Sequence, residues 1–254
     1  MPLITAGALL LLGLAQTQSL GADLPSSMII ESLRGSVMIG DDQAEKHQVV
    51  LASGNKIETG EDSFVAVVLS NGLSIYCGPE SHLEITEAHQ EAFADFYAAS
   101  EFEDSVSTIE LKLVEGGFGF DQPDPNPTST LSIETRYGEI EGDASSFAIV
   151  LGNREGKVGT LNGSLYFISD QDKRRFVAED EALDLAMASQ EASARALTPL
   201  RATGREVFRP LVEPAERARK RVLITEVDGA ATFKTVITPE STDGAAFNDY
   251  RLPR

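Results

Sequence analysis

The sequence holds one cysteine in 254 residues. Cys77 therefore has no partner for a disulfide within the chain. No histidine or basic cluster stands beside it, so it reads as a small core residue and not a nucleophile. There is no tryptophan, and aromatic residues make up only 7%. Positive charge is scarce as well: 21 Lys and Arg stand against 40 Asp and Glu, a formal net charge of −19. Nucleic acid and anionic membrane surfaces need cationic footprints, so neither is expected as a partner of the whole chain. The acidic excess reads first as a solvated surface that keeps the protein soluble, and second as a site for a cation or a basic partner. Long apolar runs are missing too. The longest, residues 6–15, is too short to cross about 30 Å of hydrocarbon as a helix, so no membrane span is expected in the mature chain.

Catalytic and metal motifs are equally sparse. His47, His82 and His89 share no metal-ligand spacing. Gly-x-Ser-x-Gly, His-Glu-x-x-His and a nucleotide loop are all absent. The GGFGF run at residues 116–120 lacks phosphate-loop spacing, and no helical pattern follows it. The two aspartates in the proline-rich loop at 121–127 do not follow a Ca²⁺-loop pattern. No catalytic residue, cofactor or metal is expected. Because acids are abundant, a carboxylate pair of a glycan-directed hydrolase is kept as a third functional reading.

What is present begins with residues 6–15, followed by polar residues 16–19 and then Leu20, Gly21 and Ala22 before Asp23. This is the apolar core and small-residue exit of a secretory signal. Only the α-amine of Met1 supplies its positive end. Residues 1–22 are read as a signal peptide, with cleavage after Gly21 or Ala22, which places the mature chain in the periplasm or outside the cell. An N-terminal core helix of a cytosolic protein is the competing reading.

Residues 49–85 form the centre of the chain. Residues 64–69 (FVAVVL) are apolar in both phases, as in a strand buried on both faces. Leu73, Ile75 and Cys77 alternate with Ser74 and Tyr76. Asn71-Gly72 between them predicts a hairpin with a type I′ turn. Gly54 and Gly60 bracket Ile57 with further turns. The stretch is a β-meander. Before it, residues 28–39 read as two short strands bent at Gly35. After it, residues 86–107 read as an acidic insertion, with Phe93, Phe96 and Tyr97 on one face of a short helix. Residues 108–120 begin as an alternating strand that Gly116 and Gly117 break. Residues 131–137 alternate up to a turn at Gly138, and further short strands are expected at 147–151, 157–161, 165–168 and 174–177. Asn162-Gly163 reads as a hairpin turn. A closing strand to about residue 185 and a helix over 187–197 are expected next.

Between residues 195 and 221 the charge reverses. Arg195, Arg201, Arg205, Arg209, Arg217, Arg219, Lys220 and Arg221 face only Glu206, Glu213 and Glu216, so this stretch carries +5 and the remainder −24. Pro199, Pro210 and Pro214 are expected to break it into an extended arm. The arm either folds back on the acidic body or serves an acidic partner or the anionic envelope; Arg201, Arg205, Phe208, Arg209 and Arg217 are its candidate contact residues. Residues 221–227 and 232–237 flank Asp228-Gly229, another hairpin signal.

The ordered set Gly54, Ile57, Thr59, Gly60, Val65, Val67, Leu69, Asn71, Gly72, Ile75, Pro79, Ser81, Leu83 and Ile85 resembles the FecR domain family, named for an iron-citrate signalling regulator of bacterial envelopes. A second half resembles it at Thr135, Gly138, Phe147, Ile149, Val158, Leu161, Gly163, Leu165 and Phe167. The family's Gly-Thr pair before Phe147 is replaced by Gly142-Asp143-Ala144-Ser145-Ser146. The resemblance implies an extracytoplasmic domain for sensing or protein contact. Its signalling members carry the domain after a membrane helix and a cytoplasmic segment that controls a sigma factor, and neither is seen in these residues.

The expected fold is therefore all-β: a sandwich or short β-solenoid of short antiparallel strands, with a small helical and extended C-terminal part. Residues 28–187 form the FecR-like domain, and 188–254 hold a helix, the basic arm and a hairpin. A secreted or envelope-facing binding or scaffold module, with an unknown protein or envelope partner, is the first functional expectation. A component of an iron-uptake-type, sigma-regulatory signalling system is the second.

Overall fold

Alternation of apolar and polar residues sets the layers. In residues 107–113 every second side chain (Ser107, Ile109, Leu111, Leu113) is buried, and the residues between them face outward. In residues 64–69 both phases are buried. One sheet therefore has a wet face, and the other is covered on both sides. The structure, a computed structural model, describes residues 23–91, 105–123, 125–190, 197–200, 202–227 and 230–235. The expected signal peptide, the helix proposed around Phe93 to Tyr97, and Arg195 and Arg201 lie outside these residues.

The open sheet runs β4 (Asp42–Gln43), β3 (Val37–Ile39), β6 (Lys56–Thr59), β9 (His82–Glu91), the first part of β10 (Ser107–Asp121), β11 (Thr130–Thr135), β12 (Gly138–Gly142), β15 (Leu165–Ile168) and β16 (Arg174–Val177). β1 (Asp23–Pro25) pairs with the far end of β9. The covered sheet runs β5 (Val49–Leu51), β2 (Ser27–Arg34), β7 (Phe64–Leu69), β8 (Ser74–Cys77), the second part of β10, β13 (Ser146–Leu151), β14 (Gly156–Asn162), β17 (Glu181–Asp184) and β18 (Leu197–Pro199). The main core lies between the sheets and includes Met28, Ile57, Val67, Ile75, Leu83, Leu111, Phe118, Phe120, Phe147 and Phe167. Phe120 and Phe147 stack at 4.6 Å. This is the all-β sandwich that the alternation predicts. Cys77 is buried in that core, as expected.

Several local expectations change. Gly116 and Gly117 do not break β10; they let it pass from one sheet to the other. Gly116 has φ +114°, open only to a residue without Cβ at low strain, and the strand continues to Asp121. β10 is thus 15 residues long, and its pairing with β11 is parallel, so the strands are neither all short nor all antiparallel. The turn at Asn71-Gly72 is a three-residue loop, not type I′. Gly72 N–H donates to the Leu69 carbonyl at 2.9 Å, and positive φ occurs at Gly72 (+91°) but not at Asn71. That is a type I turn closed by a left-handed residue. Asn71 is buried and its Oδ1 accepts from Leu73 N–H, so side-chain bonding replaces a second positive φ. Asn162-Gly163 makes no hairpin, because β14 and β15 lie in different sheets and the turn is a crossover. Residues 86–91 belong to β9, which puts His89 on a strand and not in an insertion. The closing strand and helix fall at Glu181–Asp184 and at α1 (Leu185–Gln190).

The largest correction is the basic arm. It is one helix, α2 (Ala202–Lys220), with Pro210 and Pro214 inside it. A proline within a helix costs about 3 kcal/mol in isolation. Phe208, Val212, Ala215 and Ala218 recur at helical spacing and are buried, whereas Pro210 is exposed and Pro214 half-buried at the flank of that face, so burial holds the helix. A hairpin, β19 (Val222–Val227) with β20 (Ala230–Thr235), follows as expected; its turn residues lie outside the described set.

Candidate protein-binding face

The two broad faces of the sandwich have different fates. α2 and the β19–β20 hairpin occupy the outer face of the covered sheet. Phe208 and Val212 join Ala148 and Leu200 there, and Ala218 joins Ile29, Ala66 and Val68. The GGFGF run now has a structural meaning. Phe118 and Phe120 point into the core, while Gly117 and Gly119 lie beneath Leu211 on the outer face. A Cβ on Gly119 would overlap the Leu211 carbonyl, and one on Gly159 would run into the Phe208 ring. The glycines form a flat bed on which the helix lies close. Two buried carboxylates anchor its end: Asp121 accepts from Arg219 Nε at 2.6 Å, and Glu31 accepts from Arg221 Nη1 at 3.3 Å.

Three more of the arm's cations pair within the chain. Arg205 pairs with Asp180, Arg209 with Glu213 at 2.7 Å, and Lys220 with Glu216 at 2.6 Å. Phe208 is buried against the sheet and Arg217 is exposed. Of the five candidate contact residues, Arg205 and Phe208 thus face their own body, while Arg209 is exposed and pairs within its own helix. The turn glycines sit where strands end: Gly54 before β6, Gly60 after it, Gly72 between β7 and β8, Gly138 opening β12 and Gly163 before β15.

The open sheet keeps its outer face free among the described residues. That face presents Glu58, Glu84, Glu87, Glu110, Glu134, Glu139 and Glu141 with Lys56, Lys112 and Arg174, so carboxylates outnumber cations on it. Lys56 bonds Glu84 at 3.0 Å and holds its carboxyl below the usual range. Lys112 meets Glu134 at 3.3 Å, and His82 stands 3.4 Å from Glu84. At the β16 edge Tyr166 and Phe176 lie side by side, 38% and 48% exposed, with ring centroids 5.3 Å apart. The Arg174 guanidinium sits 5.0 Å above the Tyr166 ring and bonds Glu141 Oε2 at 2.9 Å. This aromatic end was not singled out from the sequence. Its signal is an aromatic in the outward phase of an alternating strand, Tyr166 between Leu165 and Phe167.

Elsewhere the chemistry is that of a core. Burial pushes the Cys77 thiol up to about 12 and raises Tyr76, whose further cause is the neighbouring Cys77 charge. No group of three or more metal-ligating side chains occurs among the described residues. No helix of the described residues is long and apolar enough to cross a membrane.

No protein-family model matches the chain, and no curated protein matches it. Two solved structures of a candidate anti-sigma factor from Parabacteroides distasonis, at 1.65 and 2.50 Å, each align at 11% sequence identity with a TM-score of 0.34. The alignment covers 74% of this chain and 62% of theirs, so the chain spans less than two thirds of the structures it matches. The likeness is loose.

Proposed function

We propose that this chain is an extracytoplasmic, non-catalytic module that binds a protein partner through the outer face of its open sheet. The observation that carries this reading is the inequality of the two faces. One is filled by the chain's own helix and hairpin, and the other presents an excess of carboxylates over cations and an exposed aromatic pair. Exposed aromatic residues in a polar surround are the usual anchors of protein interfaces. The resemblance of residues 54–85 to FecR domains supports the same reading and adds the envelope. Within it, a sigma-regulatory signalling role is the finer alternative.

The test is site-specific photocrosslinking in cells, with the probe at position 166 on the open face and, in parallel, at position 207 on the exposed side of α2. Adducts at 166 in the envelope fraction, from a chain whose N-terminus lies near Asp23, are the expected result. A soluble cytosolic species starting at Met1, or adducts only at 207, would sink the proposal.

A further inference from the structure

The open face is not evenly charged, and its register separates two rows. The first crosses the strands through Lys56, Glu84, Lys112 and Glu134 and neutralises itself with ion pairs. The second runs Glu87, Glu110, Ser132, Glu141, Tyr166, Phe176. It contains no cation of its own. Its six strands span about 24 Å at roughly 4.8 Å per strand. The row is an acidic track that ends on two exposed rings.

Resting on the binding-module reading, the geometry points to an extended segment rich in Lys and Arg, carried by a protein partner, as the occupant of this second row. Charge complementarity is the first reason: three carboxylates face one arginine along the row, with Glu110 in no ion pair among the described residues, Glu87 with only His89 at 3.8 Å, and Glu141 shared with Arg174. The second is that the chain already displays the recognition. Arg174 lies over Tyr166 and bonds Glu141, a cation held between a ring and a carboxylate. Phe176, the more exposed ring, and Glu110, for which no ion pair is formed among the described residues, stand four strands apart, about 19 Å at roughly 4.8 Å per strand, so they offer a ring to one cation of the occupant and a carboxylate to another. An extended chain of about seven residues at roughly 3.4 Å each covers the row. An acidic segment would meet repulsion between Glu87 and Glu141.

The experiment measures fluorescence anisotropy of the mature protein with two labelled peptides, one alternating Arg and Thr and one alternating Glu and Thr. Binding of the basic peptide, weakened by salt, is expected. Tyr166→Ala/Phe176→Ala should weaken it at least tenfold, and so should Glu110→Lys. Glu61→Gln/Asp62→Asn removes the same kind of charge from an exposed turn and should change affinity less than threefold. Unfolding midpoints of all variants exclude loss of fold as the cause. Equal losses in the turn variant, an unchanged aromatic variant, or binding of neither peptide would overturn the proposal. Crosslinks at position 166 without preference for the basic peptide would reject this occupant while leaving the module reading intact.

Discussion

At Gly119 one hydrogen in place of a methyl group decides whether α2 can lie on its sheet. Gly119→Ala drives a Cβ into the Leu211 backbone, which no side-chain rotation relieves. The expected cost is about 1–3 kcal/mol, as for other overpacked sites, read as a lower urea midpoint. Gly72 poses the opposite case. Nothing lies within 4 Å of its would-be Cβ, so a substitution meets only backbone strain at φ +91°. Gly72→Val is expected to lose roughly 1–3 kcal/mol, and an unchanged midpoint would show that the loop relaxes. Cys77 makes a pH prediction. Its folded thiol titrates at about 12, above its ordinary 9.0. Unfolded chains therefore release its proton first as pH rises. Stability is whole below about pH 9 and falls between pH 9 and 12, and Tyr76 adds to the fall in the same direction. Urea midpoints from pH 8 to 11 should drop less steeply in Cys77→Val.

For single elements, α2 is the instructive one. Alone it is a poor helix, with two internal prolines. It is helical because Phe208, Val212, Ala215 and Ala218 are buried, at about 1.5–3 kcal/mol for each large side chain. Those spacings were readable in the sequence. The prolines pointed the other way, and the glycine bed that favours docking comes from strands far away in the chain, so local rules judged the arm extended. Docking on the body itself is what the structure shows. Glu31→Gln with Asp121→Asn removes both buried anchors. An Arg-specific protease at low salt should then cut within residues 205–221 about tenfold faster or more than in the parent chain, as opening rises by about 1.4 kcal/mol. Equal rates would mean that apolar contacts alone hold the helix.

Across the molecule, strand positions and the two-faced burial of residues 64–69 were legible because a period of two is a local signal. Sheet membership was not. β14 and β15 look like a hairpin across Asn162-Gly163, yet they part into different sheets, a choice made by the long-range partners β17 and β12. The open face was hidden for the same reason, since Glu87, Glu110, Glu141 and Phe176 come from four separate strands. β10 is the element on which both sheets depend. It sits inside each of them, with β9 and β11 on its sides in one and β8 and β13 in the other. Everything before residue 107 therefore emerges from the ribosome with both of its sheets missing a central member. Pairings of such separation form slowly. The first half is therefore expected not to settle ahead of the second, which leaves the chain extensible until its midpoint has been made. A fragment ending at Glu91 should accordingly show no cooperative unfolding, and a fragment that folds on its own would show that β10 is dispensable to the first half.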